Sequence, residues 1–148
     1  MHNKLRAFHE YVFMYSAGSV IYAGTEVAFR GFTHWTMVIT GGICAALIHF
    51  ENKKLRNRRL YLRCLAGCAT ITAAEYSVGC IVNKLLHWNV WDYSERFLNI
   101  QGQICPLFTF FWFLISVPAI CLSCLVSDRS EAFTGGNHVP KKKEKSSV

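Results

Sequence analysis

Charge is scarce in this chain, and long stretches lack it altogether. Only 17% of the 148 residues are charged, and 52% are hydrophobic. Four stretches are almost free of charge: residues 11–29 (Glu26 only), 35–50 (none), 60–82 (Arg63 and Glu75) and 104–126 (none). A helix needs about 20 apolar residues to cross a bilayer. A soluble bundle would keep a polar face on each helix, and residues 108–126 have no charge on any face. The pattern predicts an all-α polytopic membrane protein with four transmembrane helices.

Several kinds of motif are also missing. The sequence has no G-x-x-x-x-G-K-[ST] loop and no recognisable hydrolase triad. Its C-x-x-C, Cys121 and Cys124, lacks the further ligands that a zinc site needs nearby. We therefore expect no enzyme activity, no cofactor and no metal site, and any ATP coupling would need a separate chain. The seven cysteines lie within or at the ends of apolar runs, where thiols behave as small hydrophobic groups.

The positive charge is concentrated in the connections rather than spread over the chain. The net charge is +7, with basic clusters in residues 51–63 and 141–145. Basic loops stay on the cytoplasmic side, so we expect a multi-pass protein of the cell membrane with cytoplasmic N- and C-termini. This placement argues against nucleic acid as a partner. The predicted transmembrane domain is residues 1–128, with helices at about 9–29, 33–50, 60–84 and 105–126. Residues 129–148 are predicted to form a disordered basic cytoplasmic tail.

The two halves of the chain share a pattern. Each has a helix with one acid, an outer connection with His-Trp, and a Gly-x-Ile-Cys at the start of the returning helix. The matching elements are Glu26, His34-Trp35 and residues 41–44 in the first half, and Glu75, His87-Trp88 and residues 102–105 in the second. Two parallel two-helix repeats would explain this, and chance similarity between short apolar strings is the alternative.

Two acids within apolar stretches are the candidate site. A charged carboxylate in the membrane costs about 2.5 kcal/mol or more, so it normally faces other helices or a wet cavity. Helical spacing places Ser19, Tyr22 and Glu26 on one stripe of helix 1, and Thr72 with Glu75 on helix 3. We expect these five residues to bind a ligand or a proton. The alternative for Glu26 is an ordinary ion pair with Arg30, one turn later.

The long connection after helix 3 is rich in aromatic residues. It is a candidate ligand platform on the outer side, and the alternative is an aromatic belt resting at the membrane interface. The candidate platform residues are His87, Trp88, Trp91, Asp92, Tyr93 and Asn99.

Two strings of this sequence resemble a known family. They are R-G-x-x-H-W-T-M at residues 30–37, and N-x-W-D-Y-S followed by N-x-x-G-Q-I-C, within residues 89–105. With the surrounding residues they resemble the CmpB-like family of small bacterial membrane proteins, described as ABC transporter permeases of type IV. The family pattern has a proline after the leucine that follows the last Cys, whereas this chain reads Cys105-Pro106-Leu107. The resemblance implies a polytopic membrane protein and supplies no catalytic residues.

Two functions are compatible with these observations. The first is a permease or transport component with an intramembrane acidic site. The second is a non-transporting membrane module that binds a protein partner or lipid through its aromatic outer loop. The expected partners are the lipid bilayer, a second copy in a homodimer, and a separate ATPase or other membrane subunit.

Overall fold

The structure is a computed structural model that describes residues 2–135. It consists of four α-helices, and the third continues into a π-helical segment, Cys80–Leu85. The helices are α1 (His2–Arg30), α2 (Trp35–Lys54), α3 (Leu60–Gly79) and α4 (Pro106–Gly135). The described residues contain no strand, and their one isolated bridge joins Ile100 to Ile104. The predicted all-α class is confirmed.

Consecutive helices are antiparallel. The start of α1 contacts the end of α2, where Glu10 meets Lys53. The last turns of α3 contact the first half of α4, where Glu75 meets Trp112. One end of the bundle therefore carries the α1–α2 turn and the loop of residues 86–105. We call it the outer end. The inner end carries the α2–α3 connection and the last turns of α4.

Small residues allow α1 and α2 to pack closely. A Cβ atom on Gly18 would collide with Ala45, and one on Gly41 would collide with Tyr22. Gly42 is covered in the same way by Ser19. Close helix contact through small residues provides van der Waals packing, the main source of association inside a bilayer.

The bundle has an apolar surface and a polar interior. Large hydrophobic side chains are exposed on all four helices, whereas acids, amides and hydroxyls are buried between them. The exposed set includes Val20 and Ile21 on α1, Ile43 and Leu47 on α2, Leu62 and Leu65 on α3, and Phe110 and Leu114 on α4. Glu10, Glu26, Glu75 and His49 are among the buried polar groups. A soluble bundle would have the opposite distribution.

Length and hydropathy identify two candidate membrane spans, Leu60–Leu85 and Pro106–Ala132. Of the four helices that were expected to span the membrane, only α3 and α4 satisfy this criterion of length and hydropathy. In α1 and α2 the polar side chains that point into the bundle lower the mean hydropathy. Examples are Glu10 and Glu26 on α1, and His49 and Asn52 on α2.

Helix ends differ from the expected boundaries. α1 begins at His2 rather than near His9, and α4 continues to Gly135, past the expected boundary at Asp128. Contacts made by the added turns explain the longer α4. Asp128 pairs with Arg56 at 2.6 Å, and the Ser130 hydroxyl donates to the Glu10 carboxylate. The remainder of the predicted tail, residues 136–148, lies outside the described residues.

We predict that two truncations of α4 will differ in stability. Removal of residues 136–148 should leave the thermal unfolding midpoint in detergent nearly unchanged. Removal of residues 129–148 should lower it, because it deletes the Ser130 bond to a buried carboxylate, and a hydrogen bond to a charged group contributes about 1.5–3 kcal/mol. Circular dichroism of the two proteins gives the comparison. Equal midpoints would contradict a structural role for the last turns.

Candidate functional site

Glu75 lies at the centre of the bundle with both carboxylate oxygens hydrogen-bonded. The side chain is 2% exposed. Oε1 accepts from the Tyr22 hydroxyl at 2.8 Å, and Oε2 accepts from Trp112 Nε1 at 2.7 Å. The acid on α3 is thereby joined to α1 and α4. A buried carboxylate requires such partners, because desolvation penalises its charged form.

Tyr22 and Trp112 also stack on each other. Their ring centroids are 5.9 Å apart with an interplanar angle of 22°. Trp112 belongs to the hydrophobic core together with Cys44 and Ile71. The structure brings Tyr22 and Glu75, two of the expected site residues, into contact, whereas Trp112 was not among the expected residues. It lies in a charge-free run, and nothing in the local sequence distinguishes an inward-facing tryptophan from one that faces lipid.

Two of the expected site residues lie apart from this centre. Ser19 is buried against Gly42 in the α1–α2 contact. Thr72 lines a shallow groove between α3 and α4, with Cys68, Tyr76 and Thr109 among its neighbours. The structure shows no hydrogen bond from either hydroxyl to Glu75 among the described residues, so the polar stripes do not form one continuous cleft.

Glu26 forms an ion pair with Arg30, as the alternative expectation for this residue had it. Oε1 is 2.8 Å from Arg30 Nη1, and Oε2 accepts from the Thr33 hydroxyl at 2.7 Å. Arg30 also donates to the carbonyl of Val90. Glu26 is nevertheless buried. Because Arg30 of this pair also binds the Val90 carbonyl, the pair holds the outer loop against the end of α1.

The outer loop is built around Trp91. This side chain is 6% exposed, and its Nε1 donates to the Gln103 carbonyl at 3.0 Å. Asn83, from the π-helical segment, donates to the Trp91 carbonyl at 2.9 Å and to Gln103 Oε1 at 2.8 Å. Its own Oδ1 accepts from the Val90 amide at 2.7 Å. Asn83 and Gln103 were not among the expected site residues, although both flank the aromatic cluster in the sequence.

Asp92 and Asn99 hold the second half of the loop. Asp92 accepts from the Ser94 amide and hydroxyl, and these bonds hold the pKa of the Asp92 carboxyl below its usual value. Asn99 donates to the Ser94 carbonyl and accepts from the Gly102 amide at 2.9 Å. Gly102 has a φ of 73°, in the left-handed region that favours glycine. These polar residues are occupied in shaping the loop.

The two His-Trp pairs meet in space. Trp88 lies 5.5 Å from the His34 ring and 5.9 Å from the Trp35 ring. His34 also caps α2, because its Nδ1 accepts from the Thr36 amide. His87 is exposed and has a φ of 54°.

Tyr93 belongs to a different part of the loop. It stacks on Phe108 of α4 at 4.5 Å and 15°. The expected platform residues are thus divided between a buried loop core and an exposed aromatic cluster.

The comparisons with known proteins give one match. A family model described as "Putative ABC-transporter type IV", the CmpB family, matches residues 8–133. The chain belongs to this family. No curated protein and no solved structure matches it. The described part of the CmpB-family chain contains no group of three or more His, Cys, Asp and Glu residues that could hold a metal ion.

The loop geometry of this CmpB-family protein leads to a prediction for two glycines. A Cβ atom on Gly102 would lie 2.8 Å from Asp92 Oδ1, whereas one on Gly31, with a φ of 79°, would have no atom within 4 Å. Gly31→Ala should cost about 1 kcal/mol from backbone strain alone. Gly102→Ala should cost about 1–3 kcal/mol more, because overpacking is added. Thermal unfolding in detergent measures both. Equal losses would show that the Asp92 turn can move at little cost.

Proposed function

We propose that this protein is a four-helix membrane subunit of an ABC-type transport system, with Glu75 as its proton-binding acid. The observation that carries the proposal is the buried Glu75 carboxylate, held by Tyr22 and Trp112, inside a bundle whose outer surface is apolar. All four helices have exposed apolar faces, which supports four spans. Buried polar side chains such as Glu26 on α1 and His49 on α2 contribute to the lower hydropathy of these two helices.

The donors around Glu75 favour a proton over a metal cation. Cations such as Ca²⁺ and Mg²⁺ are bound by about six or more oxygen ligands. Here the two contacts come from an O–H and an N–H group, and an indole N–H can only donate. A protonated Glu75 can keep both contacts, because its new hydroxyl can donate to the tyrosine oxygen, whose own hydrogen then turns away, while the other carboxyl oxygen keeps the Trp112 bond. These contacts support a proton, rather than a metal cation, as the proposed ligand.

Coupling to ATP would require a second chain. The sequence has no phosphate-binding loop, and the α2–α3 connection at the inner end presents exposed Arg58 and Arg59. We propose that a separate ATPase or other membrane subunit docks there, with the basic connection and both termini in the cytoplasm of a bacterial cell. Four helices enclose little volume, so the working unit is proposed to be a homodimer.

A second candidate function rests on the tip of the outer loop. Phe97 is 83% exposed and Leu98 is 66% exposed, beyond the buried Trp91. An ordered loop with an apolar tip suits a non-transporting module that binds a protein partner or the lipid surface. The two functions differ in what they require of Glu75, because only the first needs it to change protonation.

Topology provides the first test of the proposal. In a cysteine-free variant, single cysteines at Asn57 and Asn89 should react with a membrane-impermeant thiol reagent from opposite sides of the membrane. Both positions are exposed, Asn57 in the α2–α3 connection and Asn89 in the outer loop. Labelling from the same side would reject the four-span arrangement.

Proton binding at Glu75 provides the second test. Infrared difference spectra recorded across a pH titration should show a protonated-carboxyl band that is lost in Glu75→Gln. The glutamine amide can accept from Trp112 and donate to the Tyr22 oxygen, so expression and the unfolding midpoint should change little. In Glu75→Leu both donors lose their partner, at about 1–3 kcal/mol each.

Thr72→Val is the matched control for Glu75→Gln, because Thr72 is on the same helix and has no hydrogen bond to the acid. It should keep the band. A band unchanged in Glu75→Gln would show that another carboxyl titrates, and the role proposed for Glu75 would then be wrong.

A further inference from the structure

A chain of buried polar side chains crosses the inner end of the bundle. Glu10 on α1, His49 and Asn52 on α2 and Ser123 on α4 are each between 0% and 4% exposed. Arg63 on α3 completes the chain by donating to Asn52. All four helices thus contribute to a single polar cluster, which we call the inner cluster. Glu75 is not part of it.

The contacts in the inner cluster form a sequence from α3 to α1. Arg63 Nε donates to Asn52 Oδ1 at 2.7 Å, and Asn52 Nδ2 donates to Ser123 Oγ at 2.8 Å. His49 Nδ1 lies 2.7 Å from Ser123 Oγ, and its Nε2 lies 3.4 Å from Glu10 Oε2. Glu10 is also bound by Lys53 at 2.6 Å.

Counting hydrogens assigns the state of the His49 ring. The Glu10 carboxylate can only accept, so the hydrogen lies on Nε2. Ser123 has one hydrogen and already accepts from Asn52, whose orientation is fixed because its oxygen faces Arg63. The other contact of Ser123 is with His49 Nδ1, and the Ser123 hydroxyl donates its hydrogen to this nitrogen. The geometry is satisfied by a neutral His49 that donates through Nε2 and accepts through Nδ1.

The charges around His49 oppose a second proton on the ring. Glu10 is the one carboxylate that contacts the ring among the described residues, and it already faces Lys53 and Arg6. On α3 the nearest charge in the cluster is that of Arg63. From α4 come two neutral groups, the Ser123 hydroxyl and the Cys124 thiol. The Cys124 sulfur accepts from Arg63 at 3.2 Å. The nearby Glu51 carboxylate accepts from Thr70. A charged His49 would place a third cation next to the Glu10 carboxylate, which already has Lys53 and Arg6 as partners.

We propose that His49 is a second proton-binding site, which locks α2 to α4 at the inner end while it is neutral. A proton on Nδ1 turns that nitrogen into a donor and removes the acceptor of the Ser123 hydroxyl. The Ser123 oxygen can then accept from the ring, but the Ser123 hydrogen is left buried without an acceptor, and a third cation lies beside Glu10. The cost of this arrangement opens the α2–α4 contact. Lys53, whose side chain is 36% exposed, places Glu10 next to the inner solvent from which the proton comes. This site does not depend on the function proposed for Glu75.

The first experiment tests the ring state in the unaltered protein. Nitrogen-15 NMR of histidine-labelled protein in nanodiscs should show His49 at neutral pH as the neutral tautomer with hydrogen on Nε2. The resonance is assigned by its loss in His49→Gln. The opposite tautomer, or a charged ring at neutral pH, would overturn the proposal.

The second experiment measures the opening itself. In a variant without native cysteines, spin labels at the exposed positions Lys54 and Arg129 report the distance between the inner ends of α2 and α4. Between about pH 8 and about pH 4, an interval that extends below the normal histidine range because burial and the nearby cations oppose the charged ring, this distance should increase in the parent protein. It should stay constant in His49→Gln, because the amide can donate to Glu10 and accept from Ser123 but cannot titrate.

Two controls make the result specific. His9→Gln changes an exposed histidine next to Glu10 and should keep the response to pH. Glu75→Gln should also keep it, which separates the inner cluster from the proposed function of Glu75. A response that persists in His49→Gln, or a distance that does not change in the parent protein, would reject the lock.

Discussion

A carboxylate buried between helices is the constraint on which the centre of this bundle depends. Burial penalises the charge of Glu75, and the surrounding side chains must compensate within hydrogen-bonding distance. Tyr22 and Trp112 do so from two other helices, and their rings stack on each other. The position of α1 and α4 relative to α3 is thereby linked to the two oxygens of one side chain. The close α1–α2 contact at Gly18 and Gly41 then brings α2 against the same core.

Much of this arrangement could be predicted from the sequence, because its strongest signals are local. Runs without charge predict helices, and the 3.6-residue period places Tyr22 and Glu26 on one face. The penalty for a charge among apolar residues predicts that Glu75 turns inward. The close packing at Gly41 and Gly42 is indicated by the sequence for the same reason, since small residues favour close helix contact whatever the partner is.

What could not be predicted depends on contacts between distant parts of the chain. The Glu75 partner Trp112 is 37 positions away, in a run whose residues all resemble lipid-facing ones. The inner cluster joins Glu10, His49 and Ser123, which are unremarkable within their own segments. The outer loop shows a related difficulty. Asp92 and Asn99 are residue types that are common in binding sites. Here their hydrogen bonds instead hold a loop backbone in which several residues have a positive φ.

The three buried acids of the described chain are compensated in different ways, and this difference separates their roles. Glu10 has Lys53 and Arg6 as partners, and Glu26 has Arg30. Glu75 is hydrogen-bonded only by the neutral donors Tyr22 and Trp112. An ion pair stabilises the charged form strongly and opposes protonation, whereas neutral donors leave the protonated form within reach. Glu10 and Glu26 are thus ion-paired at the two ends of the bundle, whereas Glu75 between them has no charged partner, and this difference is what supports its proposed role.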